Sequence, residues 1–447
     1  MGPYVWLGAL LYAVVYFVLG AVRYETYHSG SDLGLFTQSI SSAFRGFANT
    51  PEGGNHFTFH FSPILYVCAP ILDFTRSPLA LVALQAVAGA LTAPPLYLIA
   101  RRRMPERLAA AVAGIALVYP PLAGVTFTDF HENGFVPAAT LWLLYAVDAR
   151  RLPLAAVLLI VTLGIKEDQG PILAFASAAA AVYFLRERDR ERAWFAAFAF
   201  VACIVTFGAF FTLVRPLAGA RDAWSPTHFY TWNRIVDPRG SAAWNSIGRP
   251  AYFLEALVPL VFVPVASPAF LLAVPGFVED LGSHESITYT MGQHYAAVWI
   301  PYVLFAFVLA VARARRRSPA FATRLVAASA VLCVSNLAFA SPTHWGHYLR
   351  GRNAHDAALD RAIGRLPRDA FVGTSDEVYA HLGFDPYAHL GLRSRPTYVL
   401  VDEDNVTSWF YSEWHRPLPE RNARIGPYHL LWTAGDVDLY ERAHGTP

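Results

Sequence analysis

The sequence has few cysteines, the residues that cross-link small secreted domains or bind metals through sulfur. Its three cysteines, Cys68, Cys203 and Cys333, are far apart, and each lies inside or beside an apolar stretch. No CxxC spacing is present and no thiol lies in a polar loop. Neither a disulfide framework nor a cysteine metal site is therefore expected.

Charged residues are also scarce, at 15% of the 447 residues, whereas 55% of the residues are hydrophobic and the mean hydropathy is +0.34. This composition excludes an ordinary soluble domain and predicts a polytopic membrane protein. Lysine is almost absent, since Lys166 is the only one among 35 basic residues. The net charge of +2 decides little, because in a membrane protein the distribution of arginine carries the information.

Apolar stretches divide the first 340 residues into about ten to eleven predicted spans, each needing about 20 residues to cross the hydrocarbon layer. The first is expected to be a retained span, because no basic segment precedes it and no small-residue cleavage site follows. The stretch 60–74 is short and contains proline, which indicates a re-entrant or interfacial segment. The predicted spans lie near 4–22, 78–100, 107–127, 134–148, 152–166, 169–186, 192–214, 250–265, 267–280, 293–312 and 320–340.

Four arginine clusters fall in alternate connections between these spans, at 101–107, 148–151, 186–192 and 313–319. Basic short loops stay on the cytoplasmic side, so we expect an integral protein of the cytoplasmic membrane with its N-terminus inside. The other connections then lie outside, beginning with a large first outer loop at 23–77. The remaining predicted outer segments are 127–133, 166–169, 215–249, 281–292 and the chain after about 341.

The tail has a different composition, with many charges, prolines and turn residues. A possible helix, DAALDRAIGRL, alternates with short strand-like segments, AFVGTS, PTYVLVD and HLLWTA. The sequence therefore predicts two domains, a transmembrane module at 1–340 and a small extracytoplasmic α/β domain at 341–447.

Ionisable residues cluster in the outer connections, directly after apolar runs. Such groups are costly to desolvate near a membrane, so they line a wet cavity or pair with one another. We therefore expect one shared site outside. Its candidates are Asp32 and Gln38 in SDLGLFTQ, His60 in GGNHFTFHFSP, Asp129, His131 and Glu132 in TDFHENG, Lys166, Glu167 and Asp168 in GIKEDQG, and His294.

The outer segment 215–249 adds arginines and aromatic residues on the side where topology does not favour arginine, with Arg221 and Arg234 as the chosen candidates. Guanidinium groups match phosphate oxygens, and aromatic faces suit sugar rings or the membrane interface. A lipid-linked phosphosugar would satisfy both.

Each motif alone has a simpler explanation. A lone charged turn between spans is commonly a solvated cap, and Lys166 could form a purely structural ion pair. His56 and His60, four residues apart, could bind a metal if they shared a helix face, but neighbouring glycines make that helix uncertain. The conjunction of Asp32, Glu132 and Glu167 in three successive outer connections favours the shared site.

These segments, together with HFSPILYVCAPI and LQAVAGALTAPPLYLIA, resemble the predicted membrane proteins of the domain of unknown function 2079 family. The correspondence covers about the first 190 residues, and more loosely QHYAAVWIPYVLFA at 293–306 and the tail. That family is similar to the GT-C superfamily of integral membrane glycosyltransferases. The implied fold is an α-helical, GT-C-like polytopic membrane protein.

The resemblance implies a sugar donor linked to polyprenyl phosphate and a catalytic acid shortly after the first span, which Asp32 matches. A second acid in the next outer loop would be Asp129 or Glu132. A divalent metal, Mg, Mn or Zn, is also implied, with Asp32, His131 and Glu132 as candidate ligands. This chain has a single aspartate in SDLG where the commoner GT-C pattern has paired acids.

The predicted function is therefore transfer of the sugar to an acceptor hydroxyl on the extracytoplasmic side, with inversion and with Asp32 as general base. Expected partners are membrane lipids, the lipid-linked sugar and an acceptor glycan, lipid or protein, but no nucleic acid. Two alternatives stay open, a secondary transporter and an inactive scaffold with a GT-C-like body.

Overall fold

The computed structural model describes residues 2–220, 242–340 and 349–443. Helices dominate this part of the chain, and the predicted α-helical fold class is confirmed. The helices are α1 (Pro3–Glu25), α2 (Ser31–Ser41), α3 (Leu65–Thr75), α4 (Leu79–Ala90), α5 (Ala93–Arg101), α6 (Glu106–Leu117), α7 (Pro120–Phe127), α8 (Val136–Asp148), α9 (Leu152–Leu163), α10 (Gln169–Arg186), α11 (Arg190–Ala209), α12 (Arg215–Leu217), α13 (Ala242–Leu257), α14 (Val274–Gly282), α15 (Ile300–Arg317), α16 (Pro319–Phe339), α17 (Ala354–Ile363), α18 (Asp376–His381), α19 (Trp409–Trp414) and α20 (Leu418–Ile425).

Four helices of the described chain are long and apolar enough to cross a membrane, and a fifth span results if α6 and α7, bent by 47°, are taken together. The four are Pro3–Glu25, Leu79–Arg101, Arg190–Leu217 and Pro319–Phe339. Several other predicted spans are shorter or broken. Prolines explain this at 250–280, where α13 ends at Leu257 and three 3-10 turns, each beginning beside a proline, precede α14.

Helix α15 lies at the centre of the bundle, and most of its side chains are fully buried against α5, α8 and the 3-10 turns before α14. Outer helices expose apolar side chains instead. Leu7 in α1 is 64% exposed, Trp194 in α11 is 76% exposed and Val331 in α16 is 63% exposed. Large exposed apolar surfaces of this kind are typical of faces that contact lipid or another protein.

The segment 23–77, predicted as the first outer loop, contains α2, a two-stranded antiparallel hairpin of β1 (Ala48–Asn49) and β2 (Gly54–Asn55), and the short helix α3. Helix α3 corresponds to the segment predicted to be re-entrant or interfacial. It is eleven residues long with Pro70 inside it, and it buries Leu65 and Leu72 while leaving Val67 65% and Phe74 90% exposed.

The C-terminal region forms a five-stranded mixed sheet, as the tail's composition predicted. The predicted strands and the helix α17 are present, but the division into two domains at residue 340 stays a prediction. The strand order is β4-β3-β5-β7-β6, with β3 parallel to both neighbours and the other pairs antiparallel. The strands are β3 (Val372–Thr374), β4 (Ala388–Leu390), β5 (Tyr398–Asp402), β6 (Tyr428–Ala434) and β7 (Val437–Arg442).

Helix α17 begins with a capping box. The Asn353 side chain accepts a hydrogen bond from the Asp356 backbone N–H at 3.0 Å, and the Asp356 carboxylate accepts one from the Asn353 N–H at 2.9 Å. Arg350 donates to both oxygens of Asp356, each at 2.8 Å. Two backbone donors that the helix itself cannot satisfy are thereby paired.

Replacing Asn353 with alanine should lower the free energy of unfolding by about 1 kcal/mol, because the Asp356 N–H loses its acceptor. The thermal midpoint of the full chain in detergent would measure this loss. Asn422→Ala is the matched control, since Asn422 is exposed inside α20 and its side chain caps no helix. Equal midpoints for the two variants would show that the cap contributes nothing.

Candidate functional site

Three of the connections that the sequence predicts to lie outside contribute acidic side chains to one region of the molecule. Asp32 stands in the first turn of α2, Glu132 opens a 3-10 turn before α8, and Lys166 and Glu167 lie in the turn between α9 and α10. Asp32 is close enough to both Glu132 and Lys166 to interact with them electrostatically. The structure thus brings together the residues that the sequence placed in separate loops.

An ion pair joins the second and third connections. Lys166 Nζ lies 3.5 Å from Glu132 Oε1, and the side chains are 9% and 0% exposed. The pKa of Lys166 is raised because Glu132, Asp168 and Glu167 outweigh the effect of burial, so the amine stays protonated. Within the described residues, neither Glu132 oxygen has a geometrically acceptable hydrogen bond, so this carboxylate depends on charge pairing.

Glu167 points in another direction and joins the turn to the first outer loop. Its carboxylate lies 2.8 Å from His60 Nδ1 and accepts a hydrogen bond from the Phe61 backbone N–H at 2.8 Å. Burial disfavours the charged form of both side chains, but their mutual attraction is stronger. The pKa of Glu167 is lowered to about 2 by His60, Lys166 and the Phe61 N–H. Glu167 in turn raises the pKa of His60.

Asp129 and Glu132, which the sequence left as alternatives for the second acid, have different surroundings. Asp129 lies 2.8 Å from Arg23 and accepts a hydrogen bond from the Gly30 backbone N–H at 2.6 Å. It therefore connects the end of α1 with the residue that precedes α2. Glu132 instead faces Lys166, and both carboxylates interact electrostatically with Asp32.

Asp32 is partly buried and has an unusual acidity. Burial is the largest cause, and the carboxylates of Asp129 and Glu132 add to it, while Lys166 acts in the opposite direction. Together they raise the pKa of Asp32 to about 7. A carboxylate with this pKa can accept a proton near neutral pH, which suits a general base.

Asp168 and Glu279 extend the acidic group towards α14. Burial raises the pKa of Asp168 to about 6, with Lys166 acting against this and Glu167 adding to it. Gln169 donates a hydrogen bond to Asp168 at 2.8 Å. Glu279 is close enough to Asp168 and Lys166 to interact with both. Glu279 is not among the site residues chosen from the sequence.

Two aromatic side chains, Tyr252 and Trp299, donate hydrogen bonds to Asp280, and nothing in the sequence indicated this. Asp280 is 2% exposed, and its Oδ2 accepts hydrogen bonds from Tyr252 OH at 2.6 Å and from Trp299 Nε1 at 2.9 Å. Tyr252 and Trp299 lie in apolar runs where nothing distinguishes them from core residues. Only the fold reveals that their polar atoms meet one aspartate.

His131 and His294 stack face to face, with ring centroids 3.5 Å apart at 11°. Burial, followed by the neighbouring His294, lowers the pKa of His131 well below its ordinary value, so this ring is neutral. The Asn133 backbone N–H lies 3.3 Å from His131 Nδ1, and this nitrogen is 3.2 Å from Glu132 Oε2.

Gln38 does not face the acidic cluster with a free amide, as its proposed contact with substrate would require. Its Oε1 accepts from the Thr50 N–H at 2.6 Å and from Tyr379 OH at 2.9 Å, and its Nε2 donates to the Asp385 carbonyl at 2.7 Å. The amide is thus used to join the first outer loop to the C-terminal region. We leave Gln38 out of the substrate site for this reason.

The residues considered for metal binding do not present a ligand set in the described ranges, where no group of three His, Cys, Asp or Glu side chains is arranged to hold an ion. The ammonium of Lys166 occupies one side of Glu132, where a cation would have to bind. His56 pairs with Glu52 at 2.8 Å instead of joining His60 at a metal. The Mg, Mn or Zn ion implied by the resemblance therefore has no role in the proposed reaction.

Arg221 and Arg234 lie outside the described residues. The two arginines at the ends of the segment 215–249 lie within the described residues, and each donates hydrogen bonds to backbone carbonyls of another connection. Arg215 is 5% exposed and donates from Nε to the Thr58 carbonyl at 2.8 Å. Arg249 donates to the carbonyls of Leu281 and Ser283, each at 2.9 Å.

Comparison with known proteins agrees with this architecture. A family model described as "Predicted membrane protein (DUF2079)" matches residues 23–420. No curated protein matches the chain. Solved structures of GT-C glycosyltransferases resemble it, and the predicted GT-C-like fold is confirmed.

Two of these structures are of ArnT from Cupriavidus metallidurans. The complex with undecaprenyl phosphate has a TM-score of 0.57 at 14% identity, covering 97% of this chain and 98% of that one. The apo structure has a TM-score of 0.57 at 15% identity and covers 98% of each chain. The oligosaccharyltransferase AglB from Archaeoglobus fulgidus, in complex with an inhibitory peptide and a dolichol-phosphate, has a TM-score of 0.44 at 13% identity, covering 98% of this chain and 74% of that chain.

Glu167→Gln should destabilise the protein by about 2 kcal/mol, because a charged hydrogen-bonded pair with His60 is lost. The effect should depend on pH. Glu167 contributes above its ordinary pKa of 4.5 and loses this contribution as pH falls towards 2, whereas His60 contributes below 6.5 and loses its contribution as pH rises. The difference in thermal midpoint from wild type should therefore be largest between about pH 4.5 and 6.5.

Glu191→Gln serves as the control for this measurement. Glu191 is 69% exposed and lies 3.9 Å from Arg150, so its loss should change the midpoint little at any pH. A Glu167→Gln midpoint that follows wild type across the whole pH range would contradict the assigned pair.

Proposed function

The chain belongs to the DUF2079 family of predicted membrane proteins, and we propose that it is a membrane glycosyltransferase. The donor in this proposal is a sugar linked to polyprenyl phosphate, and the acceptor is a hydroxyl of a glycan, lipid or protein. The GT-C-like fold supports this reaction class by analogy. The resemblance to a structure that holds undecaprenyl phosphate supports the choice of donor.

The observation that carries the proposal is the buried acidic cluster around Asp32. Carboxylates from three outer connections lie in one place together with the only lysine of the chain. Desolvating such groups costs several kcal/mol each, which a structure tolerates for pairing or for function. Glu132 pairs with Lys166, and Glu167 pairs with His60. Asp32, by contrast, has no cation as a direct partner among the described residues.

The reaction is a single displacement. The acceptor hydroxyl loses its proton to the Asp32 carboxylate while its oxygen forms a bond to the anomeric carbon of the sugar. The bond from that carbon to the phosphate oxygen breaks, and the lipid phosphate leaves with the electron pair. Attack opposite to the leaving group inverts the anomeric centre.

The leaving phosphate needs positive charge nearby. Lys166 and His60 are the candidates in the described cluster, but each is already paired with a carboxylate. In the proposal Lys166 therefore supplies only part of the countercharge and also holds Glu132 in place. Arg221 and Arg234 are the remaining candidates from the sequence for this role, because guanidinium groups match phosphate oxygens.

The remaining candidates have supporting roles in this proposal. Glu167 and Asp168 orient Lys166, and the stacked rings of His131 and His294 form a flat surface that can contact a sugar. We place the cluster and the C-terminal region outside the cytoplasmic membrane. A donor entering from the bilayer could then keep its lipid chain in hydrocarbon.

Asp32→Asn should reduce transfer from a polyprenyl-phosphate hexose by about 10²- to 10⁴-fold, because asparagine cannot accept the hydroxyl proton. The rate of sugar release or transfer by the purified protein measures this. Asp73→Asn is the control, because Asp73 is a 47% exposed carboxylate in the same outer loop. The wild-type rate should also rise between about pH 6 and pH 8, as the base deprotonates.

Wild-type protein that transfers no sugar, together with full cellular function of Asp32→Asn, would refute the transferase. A scaffold would then be the better explanation. Ion-gradient-dependent uptake into proteoliposomes would instead support a secondary transporter.

Single cysteines should report the sidedness of the proposal, because the three native cysteines are buried. Arg45→Cys in the first outer loop and Arg393→Cys in the C-terminal region should react with an impermeant maleimide in intact cells. Arg316→Cys, at the end of α15, should react only after lysis. All three positions are exposed. Labelling of Arg45→Cys and Arg393→Cys from opposite sides would refute the assigned topology.

A further inference from the structure

The C-terminal region contacts α2, the helix that carries Asp32, at van der Waals distance between backbones. A Cβ added to Gly34 of α2 would lie 2.7 Å from the backbone oxygen and the ring of Tyr379. A Cβ added to Gly383, just after α18, would lie 2.7 Å from Thr37 Cβ and 2.9 Å from the Gly34 carbonyl oxygen. Real side chains do not reach such distances, so glycine is required on both sides of this contact.

Hydrogen bonds reinforce the contact one and a half turns after Asp32. Gln38 accepts a hydrogen bond from the Tyr379 hydroxyl and donates one to the carbonyl of Asp385, just before β4. Thr50 Oγ1 also donates to the carbonyl of Ala388 at 2.5 Å. Gln38 and Tyr379 are 3% and 0% exposed. Buried hydrogen bonds of this kind fix one arrangement, because any displacement leaves polar groups unpaired.

The chain that leads into α2 is held by the same region. His381 lies between the rings of Tyr24 and Tyr27, with centroid distances of 4.1 and 3.9 Å, and its Nε2 is 3.0 Å from the Tyr24 carbonyl oxygen. Tyr27 donates a hydrogen bond to Asp360 at 2.8 Å, and Arg350 donates one to the Thr26 carbonyl at 3.0 Å. Asp32 thus lies between two segments that the C-terminal region immobilises.

Helix α2 needs such support. It has eleven residues, a length at which an isolated helix is marginal, and its N-cap residue Gly30 offers no side-chain cap. The catalytic geometry of an enzyme tolerates errors of only about 0.5 Å, which requires that the supporting residues be rigid.

We infer that the C-terminal region is a structural component of the catalytic site, with Gly383, Tyr379 and Gln38 as positioning residues for the helix that carries Asp32. The inference rests on the proposed role of Asp32 as the base. It assigns to the C-terminal region the task of holding α2. None of the three residues touches the reacting atoms, so they act through the placement of α2.

The test is Gly383→Ala in the full-length protein, with Gly351→Ala as its matched control. Both glycines lie in the C-terminal region, but a Cβ at Gly351 meets nothing within 4 Å. Gly383→Ala should increase amide hydrogen exchange in peptides from residues 31–41 by about tenfold, whereas Gly351→Ala should leave it unchanged. This readout needs no substrate.

The catalytic consequence is measured with a polyprenyl-phosphate hexose. Gly383→Ala should lower kcat about tenfold, while KM for the donor stays within about twofold, because placement of the base affects the reaction more than donor binding. Tyr379→Phe, which removes only the hydroxyl donated to Gln38, should change both readouts in the same direction. The exchange of helices α15 and α16 reports whether the variants remain folded.

Unchanged exchange of residues 31–41 in both Gly383→Ala and Tyr379→Phe would overturn the inference. Faster exchange with wild-type kcat would also overturn it, since the helix would then be held for stability alone. If Asp32→Asn retains full transfer, the role of the base fails first, and the exchange data still decide whether the C-terminal region holds α2.

Discussion

The ion pair between Glu132 and Lys166 is the constraint on which the arrangement of the outer connections depends. A fully buried carboxylate without a hydrogen-bond donor is costly unless a cation lies beside it, and this chain has one lysine to provide. The pair fixes the second connection against the third. His60 and Glu167 then fix the first against the third, and Arg23 with Asp129 fixes the first against the second.

These pairs engage Asp129, Glu132 and Glu167, whereas Asp32 forms no ion pair with another described residue. Burial and the neighbouring carboxylates of Asp129 and Glu132 raise its pKa, and the Lys166 ammonium, which already pairs with Glu132, only partly offsets them. The same arrangement explains why Lys166 is a poor sole partner for a phosphate. Asp32 is thus a partly buried carboxylate beside acids whose charges are already paired.

The sequence predicted much of the fold because the signals were local. Apolar length and arginine distribution indicated the polytopic class, and the strand-like segments of the tail became β3, β5 and β6. The strands β4 and β7 were not predicted, since β4 has three residues and β7 is rich in charges, which suggest a loop. Prolines near Val258 and Val263 divide runs that hydropathy alone presents as continuous spans.

Within the candidate site, the sequence by itself determined which residue types were present, since acids and histidines beside apolar runs are unusual in any topology. It could not determine partners. Asp129 and Glu132 are three residues apart, yet one pairs with Arg23 and the other with Lys166. Gln38 faces Tyr379, 341 positions later. Only the tertiary structure decided these roles, because hydrogen bonds and charge pairing depend on distances of a few ångströms between segments whose separation along the chain carries no such information.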